Sequence, residues 1–284
     1  MYLRLFFFIL FLKNGIIQLI DISTFLLEKE FWFMSNWKEL YPMINCRRSS
    51  RKYDLSNPLS KDQLSEITDF IKHLEPLVED IRVEYRLVER KKTTCRFGEY
   101  VLVIYSEKKP RYLNNVGYMF EQFDLFCAKM NIGTCWHGLG KPDLKEWHGL
   151  ESVIMITLGN VSSKIEERDL TKIKRKDVQA FWEGDIIEEV SRSTRLSPSA
   201  CNSQPWQVKQ DNGVLRVYQN NKNKSIIPKK YRNFYHSIDL GIFLCILELS
   251  LINHGIEFNR VIEEVNIFED IYLVMSYQLD GLIN

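Results

Sequence analysis

The spacing of apolar and polar positions divides this chain into an unusual beginning and a long body of alternating elements. Leu5 to Leu12 (LFFFILFL) is an unbroken apolar run; Lys13, Asn14 and Gly15 interrupt it, and Ile16 to Leu27 is apolar again around Asp21. Eight residues are too few to cross a bilayer, which takes about 20 apolar residues. The run has the length of a signal-peptide core and follows Arg4, but no small-residue cleavage site comes after it. Residues 1–33 are therefore expected to be a leader, an appended or misassigned start outside the fold, with a membrane anchor as the alternative. The fold is expected to occupy residues 34–284.

After Met34 the period switches repeatedly. Trp37–Asn45 reads as a short amphipathic helix that runs into a basic loop. Ser60–Leu74 reads as a helix, with Ser60 as cap, Asp62 in the first turn, and Leu64, Ile67, Phe70, Ile71 and Leu74 at three-and-four spacing. Phe97–Ser106 and Val153–Gly159 have the β-branched and aromatic content of strands. Asn115–Asn131 is a strongly apolar helix, expected to stop on Gly133 in a left-handed cap. Phe181–Leu196 reads as a helix ending before Pro198. Trp206–Gln210 and Leu215–Gln219 flank Asn212-Gly213, a two-residue hairpin signal. His236–Asn253 is a second very apolar helix, stopped at Gly255, and Phe258–Ile262 and Ile271–Tyr277 read as strands.

Two long helices apolar on every side must both be buried. Each belongs to a similar series: strand, long apolar helix, glycine with a neighbouring isoleucine, strand. The pattern points to an α+β fold made of two fused pseudo-symmetric halves, 34–180 and 181–284, with central apolar helices and flanking mixed or antiparallel sheets.

Composition narrows the partners. Of 284 residues, 45% are hydrophobic, enough for a sizeable core, and the formal net charge is +1. Without a clustered basic excess there is no nucleic-acid footprint, which leaves a small-molecule partner. The six cysteines, at 46, 95, 127, 135, 201 and 245, form no CxxC pair and read as reduced thiols in a cytoplasmic protein. Cys135 and His137 alone do not make the three or four convergent ligands of a metal site, so none is expected.

Three short strings carry candidate chemistry. Arg47-Arg48-Ser49-Ser50-Arg51 offers forked guanidinium donors suited to a phosphate dianion, although a solvated basic loop has the same composition. Ser197-Pro198-Ser199-Ala200-Cys201-Asn202-Ser203-Gln204-Pro205-Trp206 combines a proline-fixed backbone with donors and acceptors beside an aromatic ring. The same string also describes a helix stop leading into a strand. Gly133-Thr134-Cys135-Trp136-His137-Gly138 has glycines at both ends, which allow close approach of a ligand, and on spacing alone reads as a loop.

Taken together and in this order, the strings resemble the FMN-dependent nitroreductase superfamily: an RRSxR loop, a PSxxNxQPW segment and a GTCWxG turn after a long apolar helix. The resemblance runs from about Trp37 to the C-terminus. In ordinary members PSxxNxQPW follows soon after RRSxR; here it lies in the second half, as though two subunits had been fused and each had kept the half-site the other lost. That arrangement resembles the single-chain, pseudo-dimeric branch of TM nitroreductases.

The resemblance implies that Arg47, Arg48, Ser49 and Arg51 hold the phosphate and ribityl chain of FMN. It implies that Pro198, Ser199, Ala200, Asn202 and Gln204 line the isoalloxazine, and that Thr134, Cys135 and Trp136 touch the flavin mainly through backbone. Arg175, in the basic stretch Thr171–Lys176, is the expected further phosphate ligand. The implied activity is electron transfer from NAD(P)H through FMN to a small electron-poor acceptor, nitroaromatic, quinone or similar. No side chain acts as catalyst, and a monomer suffices for one flavin. The alternatives are a flavin-binding protein without turnover and a membrane-associated non-enzymatic protein.

Overall fold

A computed structural model describes residues 8–13, 16–21, 37–223, 225–262 and 270–280. The chain separates into two compact units, residues 1–39 and 40–284. In the first, β1 (Phe8–Lys13) pairs antiparallel with β2 (Ile16–Asp21), setting Phe8 opposite Asp21 and Lys13 opposite Ile16. The apolar run expected as a leader is thus a strand from Phe8 onward, and its earlier residues lie outside the described ones.

The helix expected over Trp37–Asn45 is helical at residues 37–40, breaks at Tyr41-Pro42, and resumes as α1 (Met43–Cys46). Pro42 has no N–H to continue the ladder. Helix α2 (Lys61–Ile71) begins with a full capping box: Ser60 Oγ accepts from the Gln63 N–H at 3.1 Å, and Gln63 Oε1 accepts from the Ser60 N–H at 3.0 Å. Its buried face is Ile67, Phe70 and Ile71.

One sheet has the order β3 (Val83–Glu89), β4 (Tyr100–Ser106), β7 (Leu150–Asn160), β5 (Ile132–His137), all antiparallel, with β6 (Glu146–Trp147) added to β7. Helix α3 (Tyr112–Lys129) joins β4 to β5. The other sheet runs β11 (Phe258–Ile262), β12 (Ile271–Leu279), β10 (Val214–Asn220), β9 (Trp206–Asp211), β8 (Trp182–Gly184), with only β8 parallel to its neighbour. Helix α4 (Glu188–Thr194) precedes β9, and α5 (Lys229–Asn253) joins β10 to β11. The architecture is α+β.

Three sequence expectations change. Phe181–Leu196 is not one helix: Trp182–Gly184 pairs with β9, and Gly184, at φ +92°, lies so close to the Gln210 carbonyl that a Cβ would sit 1.9 Å from it. The buried Phe181-Trp182 pair serves the sheet, so helix starts only at Glu188. The cap of α3 is not Gly133 but Asn131, at φ +60°. Gly133 is inside β5, so the GTCWHG string is mostly strand rather than loop. The Asn212-Gly213 hairpin holds, with φ +48° and +73° at the two turn residues, the mirror-image turn that matches strand twist.

The core centres on the crossing of α3 and α5, where Val116, Phe120 and Phe123 of the one and Leu240, Phe243, Leu244 and Leu247 of the other are completely or almost completely buried. By length and composition α5 could cross a membrane, but 89% of its most apolar window is buried within the protein. At the crossing the backbones touch. A Cβ on Gly117 would lie 2.1 Å from the Ile238 carbonyl oxygen, and one on Gly241 1.9 Å from that of Asn114. The Asn114 amide donates to the Ser237 carbonyl at 2.9 Å, which fixes the register further.

Because both clashes are with backbone, Gly117→Ala and Gly241→Ala are each expected to destabilise the protein by about 1–3 kcal/mol or more, since packed helices must separate. Urea denaturation at constant m-value measures this; a midpoint unchanged in both variants would remove the close crossing as a source of stability.

Candidate functional site

The arginine-rich string is held by the edge of the first sheet. Beyond the end of α1, Ser49 makes a parallel bridge with Thr134 of β5, and the Ser50 N–H donates to the Thr134 carbonyl at 2.7 Å. Gly133 permits this approach, because a Cβ there would lie 2.7 Å from Ser50 Oγ and 2.5 Å from Val161 Cγ1.

Beneath the loop, Asp124 of α3 is fully buried and binds three partners. Its Oδ2 accepts from Arg47 Nε at 2.7 Å and from the Trp136 indole N–H at 3.0 Å, and its Oδ1 accepts from the Thr134 hydroxyl. One carboxylate thus ties the first string to the third. Glu121, one turn earlier on α3, also lies near Arg47, at 4.0 Å. Burial and the neighbouring Asp124 push its carboxyl well above the usual range, and the direct hydrogen bond to Arg47 comes from Asp124.

The second string is a strained turn. Ser199 is extended; residues Ala200–Asn202 form one 3-10 turn. Cys201, Asn202 and Gln204 have φ of +54°, +56° and +47°. Non-glycine residues in this region cost on the order of 1–3 kcal/mol each and concentrate at functional sites. Trp206 does not join the turn's open face: it is buried and stacks on Phe243, ring centroids 4.9 Å apart.

These two segments face one cavity of about 350 Å³, within the usual size for a small-molecule site. Arg47, Arg48, Ser49 and Arg51 line one side, and Pro198, Ser199 and Asn202 the other, together with Cys201. Arg175 lines it as well, its Nη1 donating to Asn202 Oδ1 at 2.6 Å. Arg48 donates to the Glu166 carbonyl at 2.9 Å.

Five of the expected residues stand behind this lining. Thr134 and Trp136 bind Asp124, and burial pushes the Cys135 thiol up, so it carries no thiolate. Ala200 donates its N–H to Asp239 at 2.9 Å, and Gln204 Oε1 accepts from the Lys176 N–H at 2.9 Å.

Arg168, missed from sequence, also lines the cavity, braced by bonds to the Asn45 and Ile44 carbonyls at 2.9 and 2.8 Å. The sequence cue was slight: Arg168 lies just ahead of the basic stretch at Thr171. Asp124 had a clearer cue, an acidic residue that, with Glu121, lies inside a largely apolar helix, since such residues are seldom buried without a partner.

Five guanidiniums therefore border one cavity, and no carboxylate among the described residues lines it. Burial, with repulsion from Arg47 and other arginines, presses both Arg168 and Arg175 down to about 10. They stay charged at neutral pH, in an environment that an anion would relieve. Arg47 Nη2 and Arg175 Nε are buried without a hydrogen-bond partner among the described residues. Buried donors left unpaired in this way call for a partner such as a water, an ion or a ligand.

The family model described as "Putative TM nitroreductase" matches residues 39–251. A solved structure from Thermotoga maritima, described as a "putative nitroreductase", is 20% identical and covers 85% of this chain and 94% of its own at a TM-score of 0.57, which shows a common fold. A nitroreductase family protein from Clostridium difficile (12% identity, 49% and 94% coverage, TM-score 0.39) is also similar. So is a "putative NADH oxidase" from Clostridium acetobutylicum (16% identity, 51% and 98% coverage, TM-score 0.37). Comparison with curated proteins gives no match.

Removing one member of a buried ion pair costs about 3–5 kcal/mol, because the other is left charged and uncompensated. Asp124→Ala is expected to lose about that much in equilibrium denaturation, whereas a surface control, Asp69→Ala, should lose far less. Equal losses in the two would show that Asp124 does not bind the loop to the core.

Proposed function

For a chain that belongs to the TM nitroreductase family, and so to the flavin oxidoreductases in general, we propose an FMN-dependent enzyme. It would pass electrons from NAD(P)H to a small electron-poor acceptor such as a nitroaromatic or a quinone. The observation that carries this reading is the cavity in which the arginine loop meets the Pro198–Asn202 turn.

The donor set fits the group. A phosphate dianion needs forked cationic donors free of internal carboxylates, and the two unpaired buried guanidinium nitrogens meet that need. Arg47, Arg48, Ser49, Arg51 and Arg175 would hold the phosphate and ribityl chain, with Arg168 adding to them. Pro198, Ser199, Ala200, Asn202 and Gln204 would border the ring system, and Thr134, Cys135 and Trp136 would set the backbone beside it. Bound there, FMN supplies the two-electron chemistry. The chain's own part is placement and a positive field, which favours negative charge developing nearby. Cys135, kept as a thiol by burial, is not a nucleophile in this scheme.

The purified protein is expected to be yellow, to release FMN rather than FAD on denaturation, and to bleach with NAD(P)H. Arg48→Ala and Arg51→Ala are each expected to weaken FMN binding about tenfold or more, at about 1.5–3 kcal/mol per charge-assisted hydrogen bond. Titration by flavin fluorescence checks this; unchanged affinity in both variants would make the loop mere surface charge. A flavin that binds but never bleaches would mean binding without turnover.

Internal geometry also supports one flavin per chain, held by a monomer. Asp124 stands seven residues after Gly117, and Glu248 seven after Gly241. Asp124 reaches a cavity arginine, whereas Glu248 is closed off inside the protein. It accepts from Arg260 at 2.6 Å and from the Tyr118 and Tyr277 hydroxyls at 2.6 and 2.8 Å. No arginine loop accompanies it among the described residues. Flavin counted per polypeptide, alongside mass in solution, is expected to give one FMN on a monomer. Two per chain, or a flavin lost as oligomers dilute to monomers, would refute the fused-site reading.

A further inference from the structure

Helix α5 carries a buried carboxylate that cofactor binding as described does not use. Asp239 is only 4% exposed. Its Oδ1 accepts from the Ala200 N–H at 2.9 Å and its Oδ2 from the Ser203 hydroxyl at 3.4 Å. No cation pairs with it among the described residues, and burial pushes its carboxyl up to about 8. An unpaired acid in such a place is a burden on the fold, and burdens of that kind concentrate where a site needs them.

The segment Asp239 holds is the strained turn itself. Backbone in sparsely populated regions persists only when its surroundings over-determine it. Asp239 binds the turn at its first residue, and Ser199 Oγ accepts from the Gln204 N–H at 2.9 Å to close its far end. Asn202, fixed between them at φ +56°, accepts from Arg175 and donates to the Lys174 carbonyl at 3.0 Å. A continuous set of contacts therefore leads from Asp239 through the turn to Asn202 and on to a cavity arginine.

Helix α3 provides an internal control. Asn115 stands two residues before Gly117, as Asp239 stands two before Gly241. Asn115 Oδ1 accepts from the Leu77 and Val78 N–H groups at 2.8 and 3.0 Å. The backbone it holds has no left-handed residue and lines no part of the cavity. An amide oxygen at this helix position is thus enough to anchor an adjoining loop.

We infer that Asp239 is a positioning residue, which holds the Ala200–Asn202 turn in its strained form and, through Asn202, sets Arg175 against the cavity. The identity of the ligand rests on the flavin reading above; the anchoring of the turn does not. FMN affinity of the full chain, measured by flavin fluorescence, tests it in Asp239→Leu, Asp239→Ala and Asp239→Asn. The Leu and Ala variants are expected to bind FMN about tenfold more weakly or worse. The Asn variant, whose amide oxygen still accepts from the Ala200 N–H, is expected to stay within about threefold of the parent. Replacing the buried ionisable carboxyl with a neutral amide should leave its melting temperature equal or higher. Hydrogen exchange at the Ala200 amide gives a second readout: protection is expected in the parent and in the Asn variant, and its loss in the Leu variant. Parent-like FMN affinity in the Leu or Ala variant overturns the inference, as does an Ala200 amide that exchanges equally fast in the parent and the Leu variant. A parent that binds no FMN defeats the flavin reading instead, while the exchange comparison still decides whether Asp239 anchors the turn.

Discussion

Everything in the larger unit hangs on two helices whose backbones touch. Gly117 and Gly241 each face a carbonyl of the other helix, three residues before the partner glycine. No side chain separates the two axes there, so any group placed a fixed number of residues from the glycines has a fixed position in the molecule. Polar residues occupy those places in matching order: Asn115 and Asp239 two residues before, Asp124 and Glu248 seven after. Each reaches outward from the buried pair to hold a loop, a strand or an arginine. The crossing acts as a datum from which the surrounding segments are placed.

That arrangement answers an electrostatic difficulty. Five guanidiniums around one cavity repel one another, and a purely solvated loop would let them spread. Here each of four is tied down by hydrogen bonds: Arg47 to Asp124, Arg48 to the Glu166 carbonyl, Arg168 to two carbonyls of α1, and Arg175 to Asn202. Only Arg47 meets a charged acceptor; the rest meet dipoles, which orient a cation without neutralising it. The cavity is thereby both ordered and positive, the combination that makes charge recognition effective at low reorganisation cost.

Much of this was legible in the residues. Period and capping gave α2, the Asn212-Gly213 hairpin and the two central helices, because those signals are local. The three strings were equally readable, and the cavity gathers the first and second of them. What escaped was set by distant partners. Gly133 looked like a helix stop, but its lack of a side chain serves the approach of Ser50 from far along the chain. Phe181-Trp182 fitted a helical pattern until β9 claimed it as a parallel neighbour. Arg168 lies in a polar loop whose fold depends on backbone bonds to α1. The resemblance pointed to Thr134 and Trp136 as flavin contacts mainly through backbone, and said nothing of their side chains, which serve Asp124.

The bridge between Ser49 and Thr134 has a consequence of another kind. Strand β5 ends its sheet, and an uncovered terminal strand offers a row of free N–H and carbonyl groups on which a second chain can pair. The arginine loop covers part of that row, through the bridge of Ser49 to Thr134. The loop that lines the cavity is therefore also a cover for the sheet edge, and a chain in which it came loose would expose that edge along with the cavity.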